Sequence, residues 1–181
     1  DPFIFRYDGT PPQAPDIENM DGAASGVWQR KIRTADFCWD QPHDEGSGIA
    51  GYNVYWGPDP QGSSDILQTE DHFVHPTPIC AEDEAMTHTL RVRSQDNVGW
   101  KSDWVGYVLA YDGAPPTGML IANYGQPIVH QTAIHLDILG QDEGSGVNRM
   151  RLSNDARAWT DWLEFETETY WQIPAIGRRD H

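Results

Sequence analysis

Hydrophobic and polar positions alternate along this chain in short runs, and each run of useful length has a period of two. Thr34–Trp39 sets Phe37 and Trp39 on one face, and Tyr52–Trp56 groups Tyr52, Val54 and Trp56. His88–Arg93 turns Leu90 and Val92 one way and both arginines the other, and Val105–Tyr111 is another strand. Further on, Ala133–Ile138 aligns Ile134, Leu136 and Ile138, Asn148–Leu152 aligns Met150 and Leu152, and Tyr170–Ile173 is again extended. Such alternation predicts strands with one face on a core. Asp71–Cys80 is interrupted by Pro76 and Pro78, which predicts an edge position. Gly57–Ser64 is a polar turn. No stretch sustains a helical period, so the predicted class is all-β.

The turns repeat. Asp44-Glu45-Gly46-Ser47-Gly48 recurs as Asp142-Glu143-Gly144-Ser145-Gly146, and Tyr7-Asp8-Gly9-Thr10-Pro11-Pro12 recurs as Tyr111-Asp112-Gly113-Ala114-Pro115-Pro116. Both intervals are about one hundred residues, the length of one β-sandwich domain. The predicted organisation is a closing strand of a preceding module plus linker at 1–12, a first β-sandwich module at 13–112, and a second at 113–181. The second lacks counterparts of Thr87–Pro116 and is expected to be incomplete at its C-terminal end. Phe3, Ile4, Phe5 and Tyr7 match the closing strand Val105–Tyr111. The first expectation from these mismatched ends is a piece of a longer array; the alternative is that Phe3–Tyr7 is a donor strand for the second module of another copy.

Thr-Leu-Arg-Val-Arg-Ser-Gln-Asp-Asn-Val-Gly-Trp-Lys-Ser at 89–102, with Gly-Tyr-Asn-Val-Tyr-Trp at 51–56 and Tyr-Asp-Gly-Ala-Pro-Pro at 111–116, resembles the immunoglobulin-like and fibronectin type III-like repeats of secreted bacterial multidomain proteins. Residues 149–162 look like a sister subtype. The resemblance implies tandem Ig-like sandwiches used as spacers, stalks or adhesive modules, at the cell surface or outside the cell. His88 stands where that closing strand often carries tyrosine.

Charge narrows the partners. With 28 acidic residues against 12 Lys and Arg, the net charge is −16. A surface this acidic repels phosphate backbones, so nucleic acid is not an expected partner. No apolar run approaches the ~20 residues of a membrane span, and residues 1–5 lack a signal-peptide pattern. Eight tryptophans supply large buried areas.

In a sandwich of this topology, the loop after the second strand, the loop before the last strand and the incoming linker share one end. That gathers Asp8, Asp44, Glu45 and Asp96 in the first module, with Asp112, Asp142 and Glu143 in matching places of the second. Clustered oxygen ligands suit Ca2+, and Gly46 and Gly48 allow the backbone to turn. The alternative is that the aspartates only hydrogen-bond their own turns. Cys38 and Cys80 both fall in the first module and are expected to pair as a disulfide, which would imply an oxidising compartment; the alternative is two buried free thiols. Trp100, Trp104, Trp159 and Trp162 are candidate glycan contacts, against the reading that they pack on neighbouring loops. His72 and His75 fall on opposite faces of an extended segment, so no zinc site is expected there. No serine sits in a nucleophile-elbow context, and no catalytic residue is expected. The functional expectation is a non-enzymatic extracellular structural or adhesive array with calcium-stiffened junctions. Its partners are neighbouring modules or copies of itself, and surface glycans. The alternative is a carbohydrate-binding appendage of a secreted glycan-active enzyme.

Overall fold

The computed structural model describes residues 3–174. It is all-β, with several sheets and a single 3-10 turn among the described residues. The chain divides into two compact units, Asp1–Gly113 and Ala114–His181. No helix among the described residues is long and apolar enough to cross a membrane.

Unit 1 contains β1 (Ile17–Asn19), β2 (Trp28–Gln29), β3 (Ala35–Trp39), β4 (Ile49–Gly57), β5 (Leu67–Gln68), β6 (His72–His75), β7 (Ala85–Asp96) and β8 (Val105–Asp112). One sheet has the order β1-β3-β6 and the other β2-β8-β7-β4-β5. The two share one core. Ala35, Phe37 and Trp39 enter it from β3, and Tyr52, Leu90, Val92 and Leu109 from the larger sheet. The inward sets are those of the alternation, because a period of two leaves a strand no other way to bury its apolar face. β6 lies at a sheet edge, and the following Pro76 could not have donated a ladder hydrogen bond. The Tyr107 hydroxyl donates to the Ala23 carbonyl and the Tyr111 hydroxyl to the Glu82 carbonyl (2.8 Å), pinning loops to β8.

An aromatic cluster extends this core. Trp56 packs on Phe37, Phe73, His75 and His88, with ring centroids 5.1–6.0 Å apart. Burial, and after it the charge of His75, hold the His88 imidazole below its ordinary value of 6.5. The unfolded chain therefore takes up a proton near pH 6.5 that the native unit accepts only at lower pH. Stability is fully present above about 6.5 and declines as pH falls below it. Chemical denaturation between about pH 8 and 5 should show this slope, and His88→Tyr should flatten it. A slope unchanged in His88→Tyr would place its origin elsewhere.

The expected disulfide does not form. Cys38 and Cys80 are both free thiols. The reason is strand direction. The Ile79 N–H bonds the Arg33 carbonyl (2.8 Å), and the Arg33 guanidinium donates to the Cys80 carbonyl (3.1 Å). Cys80 thus lies beside Arg33, five residues before Cys38. At about 3.3 Å per extended residue that separates the two by roughly 15 Å, far beyond the ~7 Å limit between bridged Cα atoms. Cys38 instead directs its Sγ at Met20 Sδ (3.1 Å). Burial first, then nearby carboxylates, raise both thiols above their ordinary value. Native protein should therefore show two alkylatable thiols that react slowly at neutral pH and quickly after unfolding. Identical intact masses with and without reductant check the pairing. Two free thiols carry no sign of an oxidising compartment.

Phe3–Tyr7 forms no strand and pairs with nothing among the described residues. Its side chains stand in solvent, Phe3 at 85% and Tyr7 at 94% exposure. Strand propensity alone does not make a strand where no neighbour satisfies the backbone.

Unit 2 contains β9 (Thr117–Ala122), a 3-10 turn (Asn123–Gly125), β10 (Ala133–Gln141), β11 (Arg149–Met150), β12 (Leu163–Glu164) and β13 (Glu168–Gln172). β10 is the centre of a sheet ordered β13-β10-β9, while β11 and β12 form a two-stranded ribbon. Among the described residues, Ile134 and Leu136 are its buried apolar side chains. β9 is not marked by alternation, and its sequence, Thr-Gly-Met-Leu-Ile-Ala, sits mostly exposed at the edge.

Candidate metal centre

The register of β4 on β7 builds the site. Ile49 pairs with Asp96, so the turn entering β4 lies against the turn leaving β7. The Asn97 side chain closes the junction by donating to the Ser47 and Gly48 carbonyls (2.9 and 3.0 Å). The incoming segment is fastened to the same end. The Gln13 N–H bonds the His43 carbonyl (3.0 Å), and the Ser94 hydroxyl donates to the Gln13 carbonyl. Upstream of it, Asp8 accepts the Ser47 N–H (2.7 Å).

Three carboxylates meet there. One oxygen from each of Asp8, Asp44 and Asp96 lies within 4.8 Å of the others. Each aspartate has a turn to hold. Asp44 Oδ2 accepts the N–H groups of Gly46 and Gly48 (3.2 and 2.6 Å). Asp96 Oδ1 accepts those of Val98 and Trp100 (3.0 and 2.8 Å). Asp8 Oδ1 accepts from Thr10 (3.1 Å). Turn-holding does not use up the site, however. Asp44 Oδ1 and Asp96 Oδ2 are buried with no hydrogen-bond partner, and so is Ser47 Oγ. Asp96 is only 1% exposed. Buried polar oxygens are almost always satisfied, and none of the ion pairs among the described residues brings a cation to these carboxylates.

Ser47 and Thr10 set the charge on Asp8. The Ser47 side chain, then the backbone N–H groups of Thr10 and Ser47, hold its carboxyl at about 2. The influence of the hydroxyl is one of proximity, since Ser47 Oγ meets no partner in hydrogen-bond geometry; the bond formed is that of the Ser47 N–H. Gly46 admits the Asp8 carboxylate to the turn. A Cβ at that position would stand 2.2 Å from Asp8 Cγ. Gly48, at φ +82°, adopts the left-handed conformation that closes the turn.

The second copy of the turn folds the same way. Asp142 Oδ1 accepts the N–H groups of Gly144 and Gly146 (3.0 and 2.8 Å), with Gly146 at φ +81°. Asp112 ends β8 and is buried. Glu45 and Glu143, expected as ligands, are exposed, and Glu45 is outside the carboxylate group. Each follows an aspartate whose side chain is drawn into its turn by the glycine N–H groups, which directs the next side chain outward.

Of the four candidate tryptophans, Trp100, Trp159 and Trp162 are exposed and Trp104 is not. Trp104 is covered by Arg91 and Arg93, whose guanidinium carbons stand 5.2 and 4.6 Å from the ring centre. Arg151 lies over both Trp159 and Trp162, at 5.3 and 4.8 Å. Trp100 is 48% exposed and gives its backbone N–H to Asp96. A second group of ligand-type side chains, His135, Asp137 and Glu168, comes together in unit 2. It escaped the sequence reading because its members lie on two strands 31 residues apart, and only the single alternation of His135 with Asp137 was visible. No protein-family model and no curated protein matches this chain.

Proposed function

We propose that this chain is a segment of a non-enzymatic extracellular structural or adhesive array of Ig-like β-sandwich modules, in which calcium fastens the incoming segment to the loop end of a module. The observation that carries this reading is a pair of buried, unpartnered oxygens, Asp44 Oδ1 and Asp96 Oδ2, on carboxylates gathered with a third that is held ionised. Ca2+ accepts six to eight oxygens, including hydroxyls, carbonyls and water, in adaptable geometry. Asp8, Asp44, Asp96 and Ser47 Oγ are its protein ligands in this proposal, and the shortfall is made up by water. Asp44 also lines an open cleft of about 310 Å3. So few protein ligands suit the ~10⁻⁴–10⁻³ M affinities of extracellular modules, and this is what favours a location outside the cell. The repeated turn, with the same hydrogen bonds in both units, supports an array of one module type. Its partners are neighbouring modules or further copies of the chain.

Arg91 and Arg93 lie over Trp104 and Arg151 over Trp159 and Trp162, which nevertheless stay 49% and 59% exposed; a glycan-binding appendage is the second reading. The deciding experiment is thermal unfolding of the chain in EGTA and in rising Ca2+. At a hundredfold excess over Kd, mass action stabilises the native state by about 3 kcal/mol. A melting curve that EGTA and Ca2+ leave unchanged overturns the proposal.

A further inference from the structure

We infer that His135, Asp137 and Glu168 form a second metal site in unit 2, for a divalent transition ion of the zinc class rather than for calcium. β10 places His135 and Asp137 on one face, two residues apart. The antiparallel register sets Tyr170 opposite His135 and Glu168 opposite Asp137. On the other side β9 brings only Ile121 opposite Asp137. Two carboxylates thus face each other across a strand pair, an arrangement that repels unless a positive charge lies between them.

The imidazole stands between the two carboxylates at ion-pair distance, without a hydrogen bond to either. Nδ1 is 3.6 Å from Asp137 Oδ2, and Nε2 is 3.6 Å from Glu168 Oε2, both beyond hydrogen-bond reach. The His135 side chain is 10% exposed, and its Nδ1 is buried without a hydrogen-bond partner. One nitrogen of the ring and one oxygen of each carboxylate lie within 4.8 Å of one another. The ring is also held in place. Tyr124 stacks on it at 4.7 Å and 9°, and Tyr170 meets it edge-on at 5.4 Å. Tyr124 reaches that position from the 3-10 turn, with φ +54°, a conformation uncommon for a bulky residue.

One nitrogen and two carboxylate oxygens are a ligand set for zinc-class ions, which bind imidazole and carboxylate at about 2.0–2.2 Å. Imidazole is a poor ligand for Ca2+, which takes oxygen. The Glu168 side chain is 75% exposed, so water or a side chain of a partner can complete the coordination.

Co2+ and Zn2+ titrations of the whole chain at neutral pH test this, with Co2+ read by its visible absorption and Zn2+ by calorimetry. The expected result is one site whose Co2+ spectrum shows nitrogen and oxygen ligation, competed by Zn2+ but not by Ca2+. Glu168→Gln, at an exposed position, should weaken Zn2+ binding by at least about tenfold, and His135→Gln should abolish it. The Asp44→Asn, Asp96→Asn double variant should leave it intact, which keeps this site separate from the calcium site. Circular dichroism of the metal-free variants checks that unit 2 remains folded. Absence of Zn2+ binding, or wild-type affinity in folded Glu168→Gln, overturns the inference.

Discussion

Phe37→Ala should destabilise unit 1 by about 3–5 kcal/mol, measured as a fall in the urea midpoint without a change in slope. Phe37 is fully buried. Its ring packs on Trp56 and Tyr107, with centroids 5.9 and 5.1 Å away, so truncation empties the space between the two sheets and strips two aromatic contacts at once. Val98→Ala is the control. Val98 is 57% exposed in the loop after β7, and its truncation should stay within about 0.5 kcal/mol. Similar, small losses in both variants would show that the common core of the two sheets is not where Phe37 lies.

Asp96→Asn should remove the whole calcium response, about 3 kcal/mol at a hundredfold excess of ligand, without unfolding the loop. An asparagine keeps an oxygen for the Val98 and Trp100 N–H groups. Its amide nitrogen then takes the place of the unpartnered Oδ2, so the group near Asp8 and Asp44 is neutral instead of a third anion. Calcium-free Asp96→Asn should therefore be as stable as the calcium-free parent chain or more so. Gly46→Ala attacks the same site from the other side. The new Cβ would overlap the Asp8 carboxylate, and a side chain can swing out where a backbone could not. Loss of the calcium response with little loss of calcium-free stability is the expected signature. A melting temperature that still rises with Ca2+ in Asp96→Asn, as it does in the parent chain, would remove Asp96 from the site.

The all-β class was legible in the sequence because strand alternation is local. Phe37 and Trp39, Leu90 and Val92, Ile134 and Leu136 each announce a buried face two residues apart, and the burial of that face is what holds the strand. The repeated Asp-Glu-Gly-Ser-Gly turns were legible for the same reason. An aspartate that accepts the N–H groups two and four residues on, and glycines that tolerate positive φ, need nothing from the rest of the chain. β9 was not legible, because an edge strand with Met119 and Leu120 exposed carries no alternation to read.

What only the tertiary structure decided was which side chains meet. The register of β4 on β7 brought Asp96 to the turn that holds Asp44, as expected from the shared loop end. Register elsewhere put Cys80 beside Arg33 rather than Cys38, and Glu168 across from Asp137. Local sequence sets which face a residue occupies. The partner it finds there depends on how far one strand slides along another, and that is settled by the packing of whole sheets.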